Sequence, residues 1–379
     1  MNKRVYLDFA AATPIESKVK KAMADVSDLF ANPSAQYSSG LESKQRLEEA
    51  RKKCALFLQC SSDEIVFTSG STEANNLAIL GTAKNYKSGR IITIASEHSS
   101  VTGPLDYLKK NGFEIKFAKI GKTGQVDLNN LASLLTNDTR LVSISYANSE
   151  IGTIQPIRKI GQLIKSFNSS RNSNINFHSD ASAASLVLNC DASRLGVDML
   201  SIGGAKIYGP HSAGILYVRR NCRLSPIEYG GGQESSLRPG TPDLKSAVGI
   251  AAALESVLEK RKSDLKKFQK LHDLLLNCLK DKTSYIYNGH PSDRMFNIIS
   301  LVLPGHSGEE MVAKLDVAGF EVSTGAACEA SNDKPSRALM AIGLSVNEAQ
   351  SSLRISLGRK TTPAQLVSFA SKLIDIIEI

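Results

Sequence analysis

The chain has 379 residues, of which 42% are hydrophobic and 22% charged, and its formal net charge is +9. This length suits two domains, or one large domain with a smaller one attached, and the composition is ordinary for a globular protein in water. The sequence contains no run of about 18 apolar residues and no signal peptide, so we expect no membrane-spanning helix and a cytoplasmic protein.

Neither the basic residues nor the cysteines indicate a special class of protein. The basic residues are densest in 260–270 and 280–282, where acidic residues are interleaved. This pattern favours a solvated helix face over a nucleic-acid site, so no direct nucleic-acid contact is expected. The six cysteines have no C-x-x-C spacing and are Cys54, Cys60, Cys190, Cys222, Cys278 and Cys328. They suit a reducing compartment and predict neither a zinc ribbon nor a disulfide framework.

Strands and helices are predicted to alternate through the first part of the chain. The predicted strands are 5–11, 64–68, 90–95, 113–119, 141–146, 175–178, 199–202 and 214–218. The predicted helices are 16–30, 41–58, 74–81, one that ends at 111, and 126–135. This alternation predicts an α/β domain with a mostly parallel sheet and helices on both faces.

Several polar residues follow the ends of these strands. In such a sheet, ligands bind beyond the carboxyl ends of the strands, so residues placed there should line one crevice. They are His98, Ser149, Asp180 and Lys206. After another strand, Ser71 and Thr72 open a helix whose free N–H groups and dipole suit a phosphate. Plain N-capping by either hydroxyl is the alternative.

Lys206 is the residue around which the other motifs are arranged. It lies on a predicted turn between two strands, after the small residues of 203–205 and before the Gly209-Pro210 break. Small neighbours let the backbone and a ligand approach closely, which suits a lysine that forms a Schiff base. An ordinary surface lysine is the alternative reading of this segment alone.

The rest of the chain predicts a smaller α+β domain. A glycine-rich loop, 230–243, carries Thr241 and leads into a long helix, 244–279. Then follow strand 295–303, helix 308–318, strand 321–323, helix 336–342, strand 353–356 and helix 363–377. The domain boundary is predicted inside the long helix, with a large domain over 13–255 and a small one over 1–12 and 256–379.

The motifs, taken together and in order, resemble those of one known family. They include YLDFAAATP, NPSA, FTSGSTEANNLAI, SEHSSV, EIGTIQPI, HSDASAA, AKIYGP, GGGQE, LRPGTPD, STGAACEAS and LRISLGRKTT. The sequence resembles the cysteine desulfurases, a pyridoxal-phosphate-dependent group similar to the class V aminotransferases, over essentially its whole length. The resemblance implies the PLP-dependent transferase fold, fold type I.

The resemblance also implies roles around pyridoxal 5'-phosphate. Lys206 looks like the residue that bonds to the cofactor aldehyde, and Asp180 like the carboxylate beneath the pyridine nitrogen. His98 resembles the imidazole that stacks on the ring and is a candidate acid/base. Ser71 and Thr72 match the phosphate-binding turn. A helix cap at Asp180 and a turn histidine at 98 are the alternatives.

Substrate and partner roles follow from the same resemblance. Arg354 matches the arginine that takes the carboxylate of L-cysteine, although a surface ion pair is the alternative, and Ser149 stands where an asparagine contacts cofactor and substrate. Thr241 resembles a threonine that the partner subunit contributes, which implies a homodimer. Cys328 resembles the nucleophile that receives sulfur as a persulfide and passes it to an acceptor protein. The acceptor could belong to iron–sulfur assembly, tRNA thiolation or DNA phosphorothioation.

Five positions depart from the family pattern, and they leave a second interpretation open. They are Tyr37, Ser149, Ala183, Gly203 and Ala205, where histidine, asparagine, glutamine, serine and histidine are usual. Each lost hydrogen bond is worth about 1 kcal/mol, or up to about 3 kcal/mol where a partner stays buried and unpaired. The chain is therefore expected to be a divergent desulfurase or, alternatively, a degenerate homologue acting as a scaffold in a sulfur-transfer complex. Aminotransferase or selenocysteine lyase activity is a third possibility.

Overall fold

A computed structural model describes residues 4–325 and 335–378. Its strands are β1 (Val5–Tyr6), β2 (Ile65–Thr68), β3 (Gly89–Ile94), β4 (Phe113–Ala118), β5 (Thr139–Ser143), β6 (Asn176–Asp180), β7 (Met199–Gly203), β8 (Gly214–Val218), β9 (Ile286–Tyr287), β10 (Ile298–Val302), β11 (Phe320–Glu321) and β12 (Ser352–Ser356). Its helices are α1 (Ser17–Ala24), α2 (Ser38–Leu58), α3 (Ser71–Ala83), α4 (Ser99–Lys110), α5 (Leu128–Leu134), α6 (Ile157–Arg171), α7 (Ala192–Leu195), α8 (Leu244–Leu279), α9 (Gly308–Val317), α10 (Arg337–Ala341), α11 (Val346–Gln350) and α12 (Pro363–Ile377).

The central sheet has seven strands in the order β2-β8-β7-β6-β5-β3-β4. Strand β8 runs antiparallel to both of its neighbours, and the other adjacent pairs are parallel. The predicted mostly parallel sheet is therefore confirmed. Because β8 is antiparallel to both β7 and β2, those two strands run in the same direction. Strands β2, β3, β5, β6 and β7 therefore all end at the same edge of the sheet.

Helices cover both faces of this sheet, and the sequence of β3 shows why. Successive side chains of a strand point to opposite faces, so a strand covered on both sides needs apolar residues at consecutive positions. Ile91 and Ile92 are both 0% exposed, and they belong to two different hydrophobic clusters. The core therefore lies in two layers, one on each side of the sheet.

The C-terminal part forms a smaller unit beside the sheet. Strands β9, β10 and β12 form an antiparallel sheet in the order β12-β10-β9, and β1 pairs with β11 in parallel. Helix α8 runs unbroken across the predicted boundary at residues 255 and 256, and it contacts α1 and α2 as well as α12. The division into domains stays a prediction.

Some elements differ from those expected. The first strand covers only Val5–Tyr6, because the backbone N–H of Ala11 donates to the Asp8 carbonyl (3.0 Å) and turns the chain toward the sheet edge. Helix α6 was not predicted, although Ile157, Ile160 and Ile164 recur at helical spacing and are buried. The short elements β9, α7 and α11 were also missed. None of the helices in the described part of the chain could cross a membrane.

Candidate active site

A cleft with a cavity volume of about 170 Å³ opens at the edge where the parallel strands end. Six of the predicted site residues line it, namely Ser71, His98, Ser149, Asp180, Lys206 and Arg354. Thr72 and Thr241 are not among its lining residues, and Cys328 lies outside the described residues. The fold thus brings together side chains from five strand ends and from the smaller unit.

Lys206 lies on a short 3-10 helix, Gly204–Lys206, directly after β7. Its Nζ donates to the backbone carbonyls of Ala10 (2.5 Å) and Ala11 (2.7 Å), which also line the cleft. The N-terminal segment therefore holds the amine at the cleft wall by two neutral acceptors.

Asp180 is the last residue of β6, and both of its carboxylate oxygens are held. The backbone N–H of Ser182 donates to Oδ1 (2.8 Å), and Asn75 Nδ2 donates to Oδ2 (2.7 Å). Asn75 is 0% exposed and lies one turn into α3. Two donors from different elements thus fix the orientation of this carboxylate.

His98 is the N-cap of α4, and its contacts identify the protonated ring nitrogen. The backbone N–H of Ser100 donates to Nδ1 (3.1 Å), and the Ser100 hydroxyl is 2.8 Å from the same atom. Because a backbone N–H can only donate, Nδ1 is an acceptor and the neutral ring carries its proton on Nε2. Asn75 Nδ2 also donates to Ser100 Oγ (2.8 Å). A single amide therefore connects Asp180 with the residue that orients His98.

Arg354 reaches the cleft from β12 in the smaller unit. Its Nη2 donates to Asp8 Oδ1 (2.7 Å), and its Nη1 is 3.5 Å from the Ser149 carbonyl. The guanidinium is buried, and its Nε has no hydrogen-bond partner among residues 4–325 and 335–378. Asp8 thus fixes one edge of the guanidinium and leaves Nε for a further acceptor.

Two buried titratable groups lie next to these residues. Glu97 lines the cleft and accepts from the backbone N–H of Ser145 (2.7 Å), and desolvation, with the charge of Asp180 adding to it, raises its pKa to about 8. Its Oε2 has no partner in the described part of the chain. In β6, burial lowers the pKa of His178 to about 4, so this imidazole is neutral at pH 7. The cleft wall therefore includes a carboxyl group that burial keeps protonated at neutral pH, and the fully buried His178 lies in the same strand as Asp180, outside the cleft lining.

The positions that depart from the family pattern have different surroundings. Ser149 and Ala183 line the cleft, whereas Tyr37 is 60% exposed at the start of α2. The carbonyl of Ala205 accepts from the backbone N–H (2.8 Å) and the hydroxyl (2.9 Å) of Thr13. A Cβ on Gly203 would lie 3.0 Å from the hydroxyl oxygen of Ser71.

Four residues in or beside the cleft were not singled out from the sequence. Glu97 and Arg337 line it, and Asp8 and Asn75 hold the lining residues Arg354 and Asp180. Arg337 lines the cleft and donates to the Thr102 hydroxyl (2.9 Å). Asn75 follows Ser71 by four residues, so helical periodicity places both on one face of α3. Glu97 directly precedes His98 after the same strand. These spacings were available signals, whereas the Asp8–Arg354 contact spans 346 residues and had none.

Comparison with known proteins adds to this geometry. A family model described as aminotransferase class-V matches residues 5–369. The chain is 39% identical over 377 residues to "Cysteine desulfurase IscS 1" of Archaeoglobus fulgidus, covering 98% of this chain and 97% of that protein.

Two solved structures are similar over most of the chain. A NifS-like protein superposes with a TM-score of 0.92 at 30% identity and 99% coverage of both chains. The structure "SspA in complex with cysteine" superposes with a TM-score of 0.80 at 32% identity, covering 93% of this chain and 98% of the other. The fold class predicted from the motifs is thereby confirmed.

Proposed function

Because this chain belongs to the class-V aminotransferase family, we propose that it is a pyridoxal-phosphate-dependent cysteine desulfurase. The overall reaction joins L-cysteine and an enzyme thiol to give L-alanine and an enzyme persulfide. In it, the substrate's carbon–sulfur bond is exchanged for a carbon–hydrogen bond, and the sulfur becomes bonded to the enzyme thiol. The observation that carries this proposal is the placement of Lys206, Asp180 and Arg354 around one cleft.

The residues present fit the cofactor. The first turn of α3 has no side-chain cap at its N-terminus, so its N–H groups suit a phosphate, with Ser71 and Thr72 at this turn. Lys206 supplies an amine for the aldehyde, and Asp180 supplies a fixed carboxylate for the pyridine nitrogen. When bound, pyridoxal phosphate withdraws electrons from the α-carbon of the amino acid.

His98 and Asp180 act as a connected pair. The carboxylate, held by Asn75 and Ser182, would through its charge favour the protonated form of the cofactor's pyridine nitrogen. The imidazole, with its proton on Nε2, is held by Ser100 at the cleft and offers a donor there. The ring's proton position is thus set by backbone geometry before any ligand arrives.

Arg354 binds the substrate carboxylate. Its guanidinium is buried in the cleft, where a charge-assisted hydrogen bond gains strength from the low local dielectric. Asp8 orients the guanidinium and neutralises part of its charge, so an empty cleft does not contain an isolated buried cation. Ser149 lies beside it, at the position from which we propose contact with both substrate and cofactor.

Cys328 is proposed as the nucleophile because it matches the family pattern. It lies outside the described residues, so this proposal rests on the sequence. The environments of four of the other five cysteines support this choice. Burial raises the pKa of four thiols to about 12, namely Cys54, Cys60, Cys190 and Cys222. A thiol reacts as its thiolate, so these four are poor nucleophiles at neutral pH.

We further propose a homodimer and a protein acceptor of sulfur. Thr241 does not line the cleft of its own chain, which agrees with a role in the cleft of a partner copy. A thiol-bound persulfide is a reactive species, so a protein with an acceptor thiol or scaffold is the expected recipient. Sedimentation of the purified protein tests the dimer independently of activity.

The test is alanine formation from L-cysteine by the full-length protein reconstituted with pyridoxal phosphate. We expect a yellow wild-type protein that forms alanine, and loss of both properties in Lys206→Ala. Cys328→Ala should keep the colour but lose alanine formation, whereas the matched variant Cys60→Ala should keep both. A colourless wild-type protein that ignores the cofactor would contradict the proposal and favour the scaffold interpretation.

A further inference from the structure

We propose that the side-chain hydroxyl of Ser71 is a donor to the cofactor phosphate, and that glycine at position 203 is what makes room for it. This inference rests on the proposed function, which requires pyridoxal phosphate. It adds that the contribution of Ser71 to phosphate binding depends on the residue at position 203, which lies on a different element. Ser71 is the first residue of α3, and Gly203 is the last residue of β7.

The backbone conformation at position 203 does not require glycine. Its φ of −118° and ψ of 138° lie in the extended region that any residue adopts. What excludes a side chain is the space in front of it. A Cβ there would meet Ser71 Oγ at 3.0 Å, Ser71 Cβ at 3.2 Å and Ser71 N at 3.3 Å. All three nearest atoms belong to the same serine, so Ser71 occupies the volume that a side chain at 203 would need.

Ser71 is placed to use that volume for binding. It lines the cleft at the N-terminus of a 13-residue helix whose N-cap, Gly70, offers no side-chain hydrogen bond. Within residues 4–325 and 335–378, no other residue forms a hydrogen bond with its hydroxyl. A Cβ on Gly70 would meet nothing within 4 Å, so the approach to the turn is open. The hydroxyl thus adds a donor to the N–H groups of a helix end that favours an anion.

A side chain at 203 would therefore crowd Ser71, and the Ser71 hydroxyl oxygen is the atom that it would approach most closely. The gap between the end of β7 and the start of α3 faces both positions, so a hydroxyl could reach it from either side. With glycine at 203 it is carried by Ser71. The absence of a serine at 203 consequently removes no donor from the phosphate site, because its place is filled from the facing helix.

A double-mutant cycle tests this dependence in the full-length protein. The four proteins are wild type, Ser71→Ala, Gly203→Ser and the double variant. Urea unfolding of each cofactor-free protein measures packing, and absorbance titration measures the affinity for pyridoxal phosphate. Titration with pyridoxal, which lacks the phosphate, separates a phosphate contact from a general disturbance. Gly103→Ser is the matched control, because a Cβ on this α4 glycine meets nothing within 4 Å.

We expect Ser71→Ala to weaken pyridoxal phosphate binding about tenfold, as loss of a hydrogen bond to a charged group does, with pyridoxal affinity unchanged. Gly203→Ser should lower the urea midpoint, unlike Gly103→Ser. In the double variant the loss of pyridoxal phosphate affinity should shrink, because a serine hydroxyl returns from the facing side. The urea midpoint should recover in part, because the contact with Oγ is removed while those with Cβ and N of residue 71 remain.

Additive effects in the cycle would overturn the proposal, and so would an equal loss of pyridoxal affinity in Ser71→Ala. A wild-type protein that binds no cofactor would overturn both this inference and the proposed function. A protein that binds the cofactor but forms no alanine would contradict only the desulfurase activity, and the cycle would still be decisive.

Discussion

Asn75→Ala should disturb the site far more than the same change one residue later. Asn75 donates to the Asp180 carboxylate (2.7 Å) and to Ser100 Oγ (2.8 Å) from a fully buried position. A hydrogen bond to a charged group is worth about 1.5–3 kcal/mol and a neutral one about 0.5–1.5 kcal/mol. Asn75 Oδ1 is itself buried without a partner in the described chain, and its removal offsets about 1 kcal/mol.

The expected net loss in the free energy of unfolding is therefore about 1–3 kcal/mol. Asn76 provides the matched control, because the one hydrogen bond of its side chain within the described residues goes to the Thr72 carbonyl (2.9 Å) of its own helix. Asn76→Ala should stay within about 0.5 kcal/mol of wild type. Urea unfolding of the cofactor-free proteins measures both values.

Cofactor binding should likewise be affected more by Asn75→Ala than by Asn76→Ala. Without Asn75, Asp180 keeps one donor among the described residues, Ser182 N, so its carboxylate would be less firmly oriented for the pyridine nitrogen. We expect Asn75→Ala to weaken pyridoxal phosphate binding about tenfold, and Asn76→Ala to leave it unchanged. Equal destabilisation by the two variants, or unchanged cofactor affinity in Asn75→Ala, would refute the reasoning.

Three further predictions concern charge and reactivity. Glu97, with a pKa of about 8 in the folded protein against an ordinary 4.5, contributes stability that is lost as pH rises from 5 to 8, whereas the lowered pKa of His178 acts in the opposite sense over the lower part of this range. Between pH 5 and pH 8, urea unfolding should therefore show wild type losing stability relative to Glu97→Gln. If the stability of Glu97→Gln changed with pH in the same way as that of wild type, the raised pKa of this carboxyl would be contradicted. Arg354→Lys should raise KM for L-cysteine about tenfold or more with a smaller change in kcat, because the ammonium lacks the planar fork; a change confined to kcat would contradict carboxylate binding. Burial raises the pKa of Cys54 and Cys190 to about 12, so iodoacetamide at pH 7.5 should label neither thiol in the folded protein, as peptide mapping would show.

Much of the site's location could be predicted, because parallel strands end at one edge of the sheet and the order of strands and helices along the chain is enough to identify the residues at those ends. Asp180 and His98 follow strands that end at one edge, and alternating elements are enough to place them together. The same logic placed Lys206 after β7. The pattern of strands and helices thus located the crevice before any contact was known.

The contacts within the crevice could not be predicted in this way. The Asn75–Asp180 and Asp8–Arg354 hydrogen bonds join residues 105 and 346 positions apart, and no local periodicity encodes such pairs. The steric relation between Ser71 and Gly203 likewise depends on how closely α3 approaches the end of β7. Sequence patterns give the order of elements, whereas packing distances decide which side chains meet.

The most direct test of the account is to locate the cofactor on the chain. Borohydride reduction of the reconstituted protein, followed by tryptic digestion and mass spectrometry, would fix the aldehyde to the amine that holds it. We predict a pyridoxyl group on the peptide that contains Lys206. Its appearance on another lysine, or on none, would contradict the central claim.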